Sequence, residues 1–360
     1  MSEQRQDTTP AFRIATIPGD GIGQEVIPAG IEVIEAAVGG AARLTWDVLD
    51  WGTARYHRTG AMTPADGLEI LRGYDAIYLG AVGDPTVPDH VTLWGLLLPI
   101  RKAFDQYVNL RPIHLLPGIT GPLRDKGPAE IDFVCVRENT EGEYAGAGGR
   151  VHRGTPHEVA IESAVFSRFA VERIMRYSFE LARTRRGHLT SVTKSNAQQY
   201  SMTLWDDVFN ALKPEYPDVQ TASLLVDAAA ALMVRAPERF DVVVASNLFA
   251  DILTDLGGAL MGSLGLAPSA NLDPDRRFPS MFEPVHGSAP DIAGRGIADP
   301  IGAIWAGAMM LDHLGLPEPA ARIMAAIAAT TRAGRTLPPD LGGTATTADI
   351  AEAIKQRLRG

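Results

Sequence analysis

The sequence is poor in cysteine and contains no long apolar run, and each shortage excludes a class of protein. Cys135 is the only cysteine among 360 residues, so an intrachain disulfide and a cysteine-based metal site are both excluded. No uninterrupted apolar stretch approaches the roughly 20 residues that a transmembrane helix needs. Residues 1–10 are polar and lack the apolar segment of a secretion signal. We therefore expect a cytoplasmic protein with no membrane partner.

Positive charge is also scarce. The chain has 33 Lys and Arg against 43 Asp and Glu, which gives a formal net charge of −10. Because no basic stripe offsets this charge, nucleic acid is not an expected partner. A small anionic substrate would need a local cluster of positive side chains. The apolar content of 46% is ordinary for a globular enzyme, and the length predicts two domains.

Strand-like segments alternate with helical patterns along most of the chain, which predicts an α/β fold. Strands are predicted at residues 13–17, 76–81, 133–137, 189–192 and 242–245, and helices at 25–37, 166–183 and from about 302. Between the first strand and the first helix lies the segment PGDGIG, residues 18–23. Its glycine spacing differs from the dinucleotide pattern G-x-G-x-x-G, so we interpret it as a loop at the edge of a ligand site and exclude a Rossmann fold.

Two aspartates form the most informative pair in the sequence. Asp251 and Asp255 follow the predicted strand 242–245 and are four residues apart, so both carboxylates lie on one face of a helix. Like charges at this spacing repel unless a cation lies between them, and oxygen ligands favour Mg²⁺ or Mn²⁺ over zinc. A solvated acidic helix face is the alternative. The position at the carboxyl end of a strand favours a ligand site.

Three arginines could bind an anionic substrate, since a planar, permanently charged guanidinium suits bidentate contact with a carboxylate. They are Arg101, Arg111 and Arg137. Each alone would more often form a structural ion pair. Arg137 directly ends a predicted buried strand, which favours a functional role.

Several other residues have two interpretations each. Tyr144 is either a packing residue or a functional hydroxyl, and Lys194 is either a solvated lysine or a base at the end of a strand. Asp227 opens an Ala-rich helix, and its spacing favours an N-cap. The Pro- and Gly-rich loop 283–294 contains His286 and is either a set of turns or a nucleotide loop, in which an acidic residue accepts the ribose hydroxyls.

Six motifs in order closely resemble the β-decarboxylating dehydrogenases, the family of isopropylmalate, isocitrate, homoisocitrate and tartrate or D-malate dehydrogenases. The motifs are PGDGIG, NLRP, RENTEGEY, SNLFADILTDLGG, GSLGLAPSAN and FEPVHGSAPDIAG, within a match from residue 14 to about 314. The resemblance implies an isopropylmalate dehydrogenase-like two-domain fold with the active site in the interdomain cleft. Residues 1–106 and 262–360 would form one domain, and 107–261 the other. It also implies a homodimer with shared active sites and a dimerisation arm near 145–160.

The resemblance assigns roles to these residues. Asp251 and Asp255 would bind Mg²⁺ or Mn²⁺ with Asp227 of a second subunit, and Lys194 of that subunit would take the hydroxyl proton. Tyr144 would protonate the enolate, and the three arginines would bind the substrate carboxylates. Asn196 would lie near the nicotinamide of NAD, and K⁺ activation is a family expectation. The remaining cofactor contacts would be His286, Gly287, Ser288, Ala289, Asp291, Ile292 and Asp299, with Asp291 selecting NAD over NADP.

The substrate is predicted from the segment before Arg101. Isopropylmalate enzymes have a glutamate seven residues before this arginine, whereas this chain has Trp94, followed by Leu97 and Leu98. The indole predicts a smaller, reshaped pocket and thus a small dicarboxylate, D-malate or tartrate. Isopropylmalate remains the alternative, because the segment LLVDAAA around Asp227 is closer to the isopropylmalate pattern. Asp299 also departs from the family, which usually has asparagine there. A non-catalytic regulatory subunit is a third hypothesis, but the full set of proton-transfer and metal residues argues against it.

Overall fold

The structure, a computed structural model, describes residues 9–359 and has an α/β fold. Within these residues it contains twelve strands: β1 (Ala11–Gly19), β2 (Arg43–Val48), β3 (Ala76–Ala81), β4 (Val108–His114), β5 (Asp132–Glu138), β6 (Gly142–Val151), β7 (Val159–Val165), β8 (His188–Thr193), β9 (Gln220–Leu225), β10 (Val242–Ala245), β11 (Pro268–Leu272) and β12 (Ser280–Pro284).

The same residues form twelve α-helices and a π-helical segment, Leu93–Leu97, between the fourth and fifth. The helices are α1 (Gly23–Val38), α2 (Thr53–Thr59), α3 (Gly67–Leu71), α4 (Asp89–Thr92), α5 (Leu98–Ala103), α6 (Arg168–Arg183), α7 (Ser201–Leu212), α8 (Val226–Arg235), α9 (Asn247–Leu260), α10 (Ile301–His313), α11 (Pro317–Ala333) and α12 (Thr347–Arg359). No helix in the described part of the chain is long and apolar enough to span a membrane.

Every strand and helix predicted from the sequence is present, with ends that differ by a few residues at most. The helix predicted from residue 166 begins at Arg168 because Ser167 is its N-cap. The Ser167 hydroxyl accepts a hydrogen bond from the backbone N–H of Ala170. The prediction of an α/β fold is therefore confirmed down to individual elements.

Ten of the described strands form one sheet in the order β2-β1-β3-β12-β11-β4-β5-β10-β8-β9. Its flanks are parallel, but β12, β11, β4 and β5 pair antiparallel in the middle. This arrangement confirms that the fold is not a Rossmann fold, whose sheet is mostly parallel. Strands from residues 9–106 and 262–359 occupy one half of the sheet, and strands from 107–261 the other. The division into two domains stays a prediction, because the sheet is continuous.

A chain of buried amides joins the two halves. Asn109 and Asn139 each donate a side-chain hydrogen bond of 3.0 Å to Asn271 Oδ1. The Asn271 amide in turn donates to Glu283 Oε1 at 2.8 Å, and Arg101 donates to the same oxygen at 2.8 Å. Buried polar groups of this kind are costly unless paired, so the four central strands are fixed relative to each other and to Arg101.

The strands β6 and β7 form a separate antiparallel ribbon, which contains most of the predicted arm near residues 145–160. Every residue of β7 is exposed, including apolar side chains such as Ile161, which is 61% exposed. An isolated two-stranded ribbon is marginally stable in water, and its exposed apolar residues are typical of an interaction surface.

The PGDGIG loop packs directly against the loop that contains His286. The backbone N–H of Ile22 donates to the carbonyl of Ser288 at 2.9 Å. Gly21 has φ +53°, and a Cβ added there would lie 2.0 Å from the Ser288 carbonyl oxygen. Only glycine permits this approach, so the motif positions the second loop.

We predict that Gly21→Ala destabilises the protein by about 1–3 kcal/mol more than Gly334→Ala, because overpacking adds to the backbone strain. Gly334 is the matched control: it also has positive φ, +63°, but a Cβ there meets nothing within 4 Å. Urea unfolding of both variants measures the difference. Equal losses of stability in the two variants would contradict this prediction, because they would show that the Ser288 backbone moves away from the added Cβ with no loss of folding free energy.

Candidate active site

Asp251 lies at the centre of the candidate site. Helix α9 begins two residues after β10 and places the Asp251 carboxylate beside two arginines and a tyrosine. Its Oδ1 accepts hydrogen bonds from Arg137 and, at 3.3 Å, from Arg111. Its Oδ2 accepts from the Tyr144 hydroxyl at 2.9 Å. The structure thus brings together four predicted residues from three separate motifs.

The charges in this cluster perturb one another. Burial alone would raise the pKa of Asp251, but Arg137 and Arg111 hold it below its usual value. Burial lowers the pKa of Arg137 to about 10, and the neighbouring Arg111 adds to this effect. Burial and the Asp251 charge raise the pKa of Tyr144, so this hydroxyl remains protonated at neutral pH. Burial, together with repulsion from Asp251, also raises the pKa of Asp255.

The three predicted arginines are all buried, at 4%, 7% and 2% exposure for Arg101, Arg111 and Arg137. Each is held by a residue that the sequence analysis did not assign to the site. Glu283 accepts from Arg101, Thr254 accepts from Arg111 at 2.7 Å, and Asn247 Oδ1 accepts twice from Arg137. Glu283 belongs to the motif FEPVHGSAPDIAG, and Thr254 and Asn247 belong to SNLFADILTDLGG. Their place in these motifs was the signal in the sequence that could have identified them.

A cavity of 170 Å³ lies against two of these arginines. Its lining includes Arg101, Arg111, Glu283, Leu93 and Leu97. The buried Nε–H groups of Arg101 and Arg111 have no acceptor within residues 9–359. Unpaired buried donors are rare in folded proteins, so these two groups indicate an anionic ligand.

Only some side chains of the segment that contains Trp94 line this cavity. Leu93, Leu97 and Arg101 line it at intervals of four residues, whereas Trp94 and Leu98 do not. Trp94 is 44% exposed and lies under the Lys102 ammonium group, which is 4.6 Å from the indole centroid. A Cβ at Gly146 would lie 2.4 Å from the same indole. Trp94 therefore packs against the base of the arm, and its proposed effect on the substrate pocket stays a prediction.

Lys194 and Asp227 form a second, separate group. The Lys194 ammonium donates to Asp227 Oδ1 at 2.5 Å, and this bond lowers the pKa of the aspartate. The N-cap interpretation of Asp227 is wrong: Leu225 is the N-cap of α8, and Asp227 lies in its first turn. No hydrogen bond or ion pair within the described chain joins this pair to Asp251 or Tyr144.

The metal ligands are incomplete in one chain. Asp251 and Asp255 offer oxygen atoms on successive turns of α9, and the unbalanced Asp255 suits a divalent cation. Among residues 9–359, however, no three His, Cys, Asp or Glu side chains are grouped to hold a metal. The pair fits a hard cation only if further ligands come from elsewhere. Asp227 remains the predicted third carboxylate.

The predicted cofactor loop borders two cavities. His286 and Gly287 line the 170 Å³ cavity, and His286 also lines a second cavity of 260 Å³ with Ala289, Ile292 and Asp299. Ser288 is fixed by Ile22, and the Gly294 N–H donates to Glu25 at 2.6 Å. Asp291 and Asn196 are both exposed and outside these cavities. His286 Nε2 and Asp299 Oδ2, two buried atoms of residues that line the second cavity, have no hydrogen-bond partner among the described residues.

Comparison with known proteins bears on the whole chain. The family model described as isocitrate/isopropylmalate dehydrogenase matches residues 13–354. A probable tartrate dehydrogenase/decarboxylase of Agrobacterium vitis is 55% identical, in a match that covers 97% of this chain and 98% of that protein. The decarboxylating D-malate dehydrogenase of Escherichia coli is 54% identical over 95% of this chain and 97% of its own.

A solved structure agrees with the sequence matches. The crystal structure of isocitrate dehydrogenase from Methylococcus capsulatus matches with a TM-score of 0.87 and 38% sequence identity. The match covers 97% of this chain and 100% of that chain. The family resemblance and the fold expected from it are thereby confirmed. The chain belongs to the isocitrate/isopropylmalate dehydrogenase family and is a dehydrogenase.

Proposed function

We propose that this enzyme catalyses the NAD- and divalent-metal-dependent oxidative decarboxylation of a small (2R)-2-hydroxy diacid, D-malate or tartrate. The observation that carries this proposal is the cavity between buried Arg101 and Arg111, whose free Nε–H groups suit a carboxylate. The names of the tartrate and D-malate relatives support the substrate class. When bound, NAD accepts a hydride and the metal ion stabilises negative charge on the substrate oxygens.

The side chains of this chain bind the substrate and move its protons. Arg101, Arg111 and Arg137 bind the carboxylates, and Arg137, fixed by Asn247, also holds the Asp251 carboxylate in place. Lys194 accepts the hydroxyl proton at Nζ, and the Asp227 carboxylate relays it onward. Oxidation yields a β-keto acid, which loses carbon dioxide to leave an enolate. The Tyr144 hydroxyl then donates a proton to the enolate carbon.

The active site is completed by a second copy of the chain. Lys194 and Asp227 are paired away from Asp251, although the chemistry requires them at the same substrate. The β6–β7 ribbon exposes Val151, Val159, Ile161 and Val165, a surface suited to pairing with an equivalent ribbon. A twofold dimer would bury this surface and bring Lys194 and Asp227 of one subunit to Asp251 and Asp255 of the other.

Two alternative functions are less well supported. A 3-isopropylmalate substrate is less well supported than a small diacid, because the relatives at 54–55% identity are named tartrate and D-malate dehydrogenases. A non-catalytic regulatory subunit would not need Tyr144 hydrogen-bonded to Asp251 or Lys194 paired with Asp227. Both groups retain the geometry of proton-transfer residues, so catalysis is the better interpretation.

The first test is a substrate comparison. With NAD and Mn²⁺, we expect kcat/KM for D-malate to exceed that for 3-isopropylmalate by at least about tenfold, because we propose a pocket fitted to the small diacids for which the relatives are named. NADH formation at 340 nm measures both. NADP is the control cofactor and should react poorly, since the predicted ribose contact is the carboxylate of Asp291. A preference for isopropylmalate would replace the substrate assignment, and no reduction with any hydroxy diacid would refute catalysis.

The second test concerns the Tyr144 hydroxyl. In Tyr144→Phe we expect the first turnover of hydride transfer to survive, while pyruvate formation from D-malate slows by about 100-fold, the usual contribution of a general acid. Rapid-mixing absorbance follows NADH, and quenched samples report pyruvate. Tyr200→Phe is the control, because that side chain is 83% exposed. If both steps slow equally, Tyr144 has a structural role and not the proposed one.

The third test asks whether two subunits share each site. Lys194→Met and Asp255→Asn should each lose about 100-fold or more in kcat. When the two variants are unfolded, mixed equally and refolded, half of the dimers combine both, and each of these contains one intact site. Activity should therefore return to about a quarter of wild type. Asp251→Asn mixed with Asp255→Asn is the control, since both changes affect the same half-site. Recovery in neither mixture would contradict a shared site.

A further inference from the structure

The strand that carries Tyr144 loses its regular pairing around that residue. The regular pairs of the β6–β7 ribbon stop at Gly142 and resume at Ala147. The segment between them, residues 143–146, lies opposite the single residue Ala164 of β7 and forms a bulge. Bulges redirect the side chains of their strand and are common beside active sites. The position of Tyr144 is therefore not set by the ladder that orders the rest of the ribbon.

Contacts with the central half of the chain hold the Tyr144 side chain from one direction. Its hydroxyl donates to Asp251 at 2.9 Å, and the Arg137 guanidinium lies 5.3 Å from the centroid of its ring. In the proposed reaction, however, the hydroxyl must turn its proton toward the enolate carbon, and the Asp251 carboxylate binds the metal. The hydrogen bond to Asp251 is then lost. The orientation of the phenol during proton transfer depends on the backbone of the bulge.

Two side chains from the first part of the sequence hold that backbone. The Lys102 ammonium donates to the carbonyl of Ala145 at 2.8 Å. The same ammonium lies 4.6 Å from the centroid of the Trp94 indole. The indole in turn packs on Gly146 so closely that a Cβ added there would lie 2.4 Å from the ring. Ammonium, indole and bulge backbone therefore form one connected stack.

Lys102 makes no ion pair with any carboxylate among residues 9–359. Ala145 and Trp94 are its polar and aromatic partners there. Partial burial without a counter-ion disfavours the charge and lowers the pKa of Lys102. Arg101, the preceding residue of α5, lines the anion cavity. Helix α5 thus directs one cation to the substrate site and the next to the bulge that carries Tyr144.

We propose that Trp94 and Lys102 are positioning residues for the proton donor, which fix the 143–146 bulge so that the Tyr144 hydroxyl lies against the enolate carbon. This inference rests on the oxidative decarboxylation proposed above. In the step concerned, the O–H bond of Tyr144 breaks, a C–H bond forms at the enolate carbon, and solvent returns a proton to the phenolate. Positioning needs no contact with the substrate, so it is distinct from the effect on the pocket predicted for Trp94.

The experiment measures the two chemical steps of Lys102→Met in single turnovers with D-malate, NAD and Mn²⁺. We expect pyruvate formation to slow by about tenfold while hydride transfer changes by less than about twofold, because a misplaced group affects only the step that it serves. NADH absorbance reports the first step, and quenched samples report pyruvate. Lys102→Arg keeps a cation with N–H donors and should restore most of the pyruvate rate.

Lys213→Met is the matched control. The Lys213 ammonium also lies over an aromatic ring, 4.7 Å from the Phe209 centroid, and donates to Asn210 at 2.7 Å. Its loss should change neither step. Trp94→Ala should resemble Lys102→Met, with slower pyruvate formation. If Trp94→Ala alters only the preference between D-malate and 3-isopropylmalate, the positioning role of Trp94 is wrong.

A double-variant cycle tests whether Lys102 acts through Tyr144. Because Tyr144→Phe lacks the proton donor, adding Lys102→Met to it should slow pyruvate formation by less than about twofold further. A further loss as large as in the single variant would overturn the proposal. So would equal slowing of both steps in Lys102→Met, or no slowing of either.

The proposed function fails in a different way. If wild type forms neither NADH nor pyruvate from any 2-hydroxy diacid, oxidative decarboxylation is refuted, and the positioning role with it. If wild type forms both products but Tyr144→Phe leaves the pyruvate step unchanged, Tyr144 is not the acid. That result would overturn the positioning proposal and leave the decarboxylation standing.

Discussion

Burial of three guanidinium groups is the constraint on which the rest of the site depends. Arg101, Arg111 and Arg137 lie together in the interior of a protein whose net charge is −10. Buried positive charges repel and lose hydration, so each needs a fixed negative or polar partner. Glu283 and Asp251 supply two negative charges for three positive ones. The remaining positive charge, with the free Nε–H groups, leaves a place for an anion in an otherwise acidic molecule.

This requirement explains the unusual centre of the sheet. Arg111 is on β4, Arg137 on β5 and Glu283 on β12, and the strand order β12-β11-β4-β5 places these strands beside or near one another in the middle of the sheet. Asn271 on β11 connects them by bonding Glu283. The fold and the anion site are thus consequences of the same strand order.

The sequence predicted much of this because local patterns have local causes. The strand 242–245 and the helix that contains Asp251 are specified by hydrophobic periodicity and position, and both are present. The environment of Trp94 could not be predicted, because it lies in a π-helical segment that no propensity predicts and packs against Lys102 and Gly146, which are distant or outside that pattern. The cap role of Asp227 was wrong because α8 begins before it, at Val226, with Leu225 as the N-cap. Glu283 and Asn271 could not be assigned either, since their partners are distant in the chain.

Three shortfalls of the single chain have one common remedy. Asp255 carries an unfavourable charge, the Lys194–Asp227 pair lacks a substrate, and the β6–β7 ribbon exposes apolar side chains. A metal alone would relieve only the first, and an unrelated protein partner only the third. In the dimer proposed above, association about a twofold axis would supply metal ligands, the base and a cover for the ribbon at once, and would do so twice because the contact is symmetric. Catalysis and dimer formation would then be inseparable, since the residues that move protons and those that bind the anion would belong to different copies.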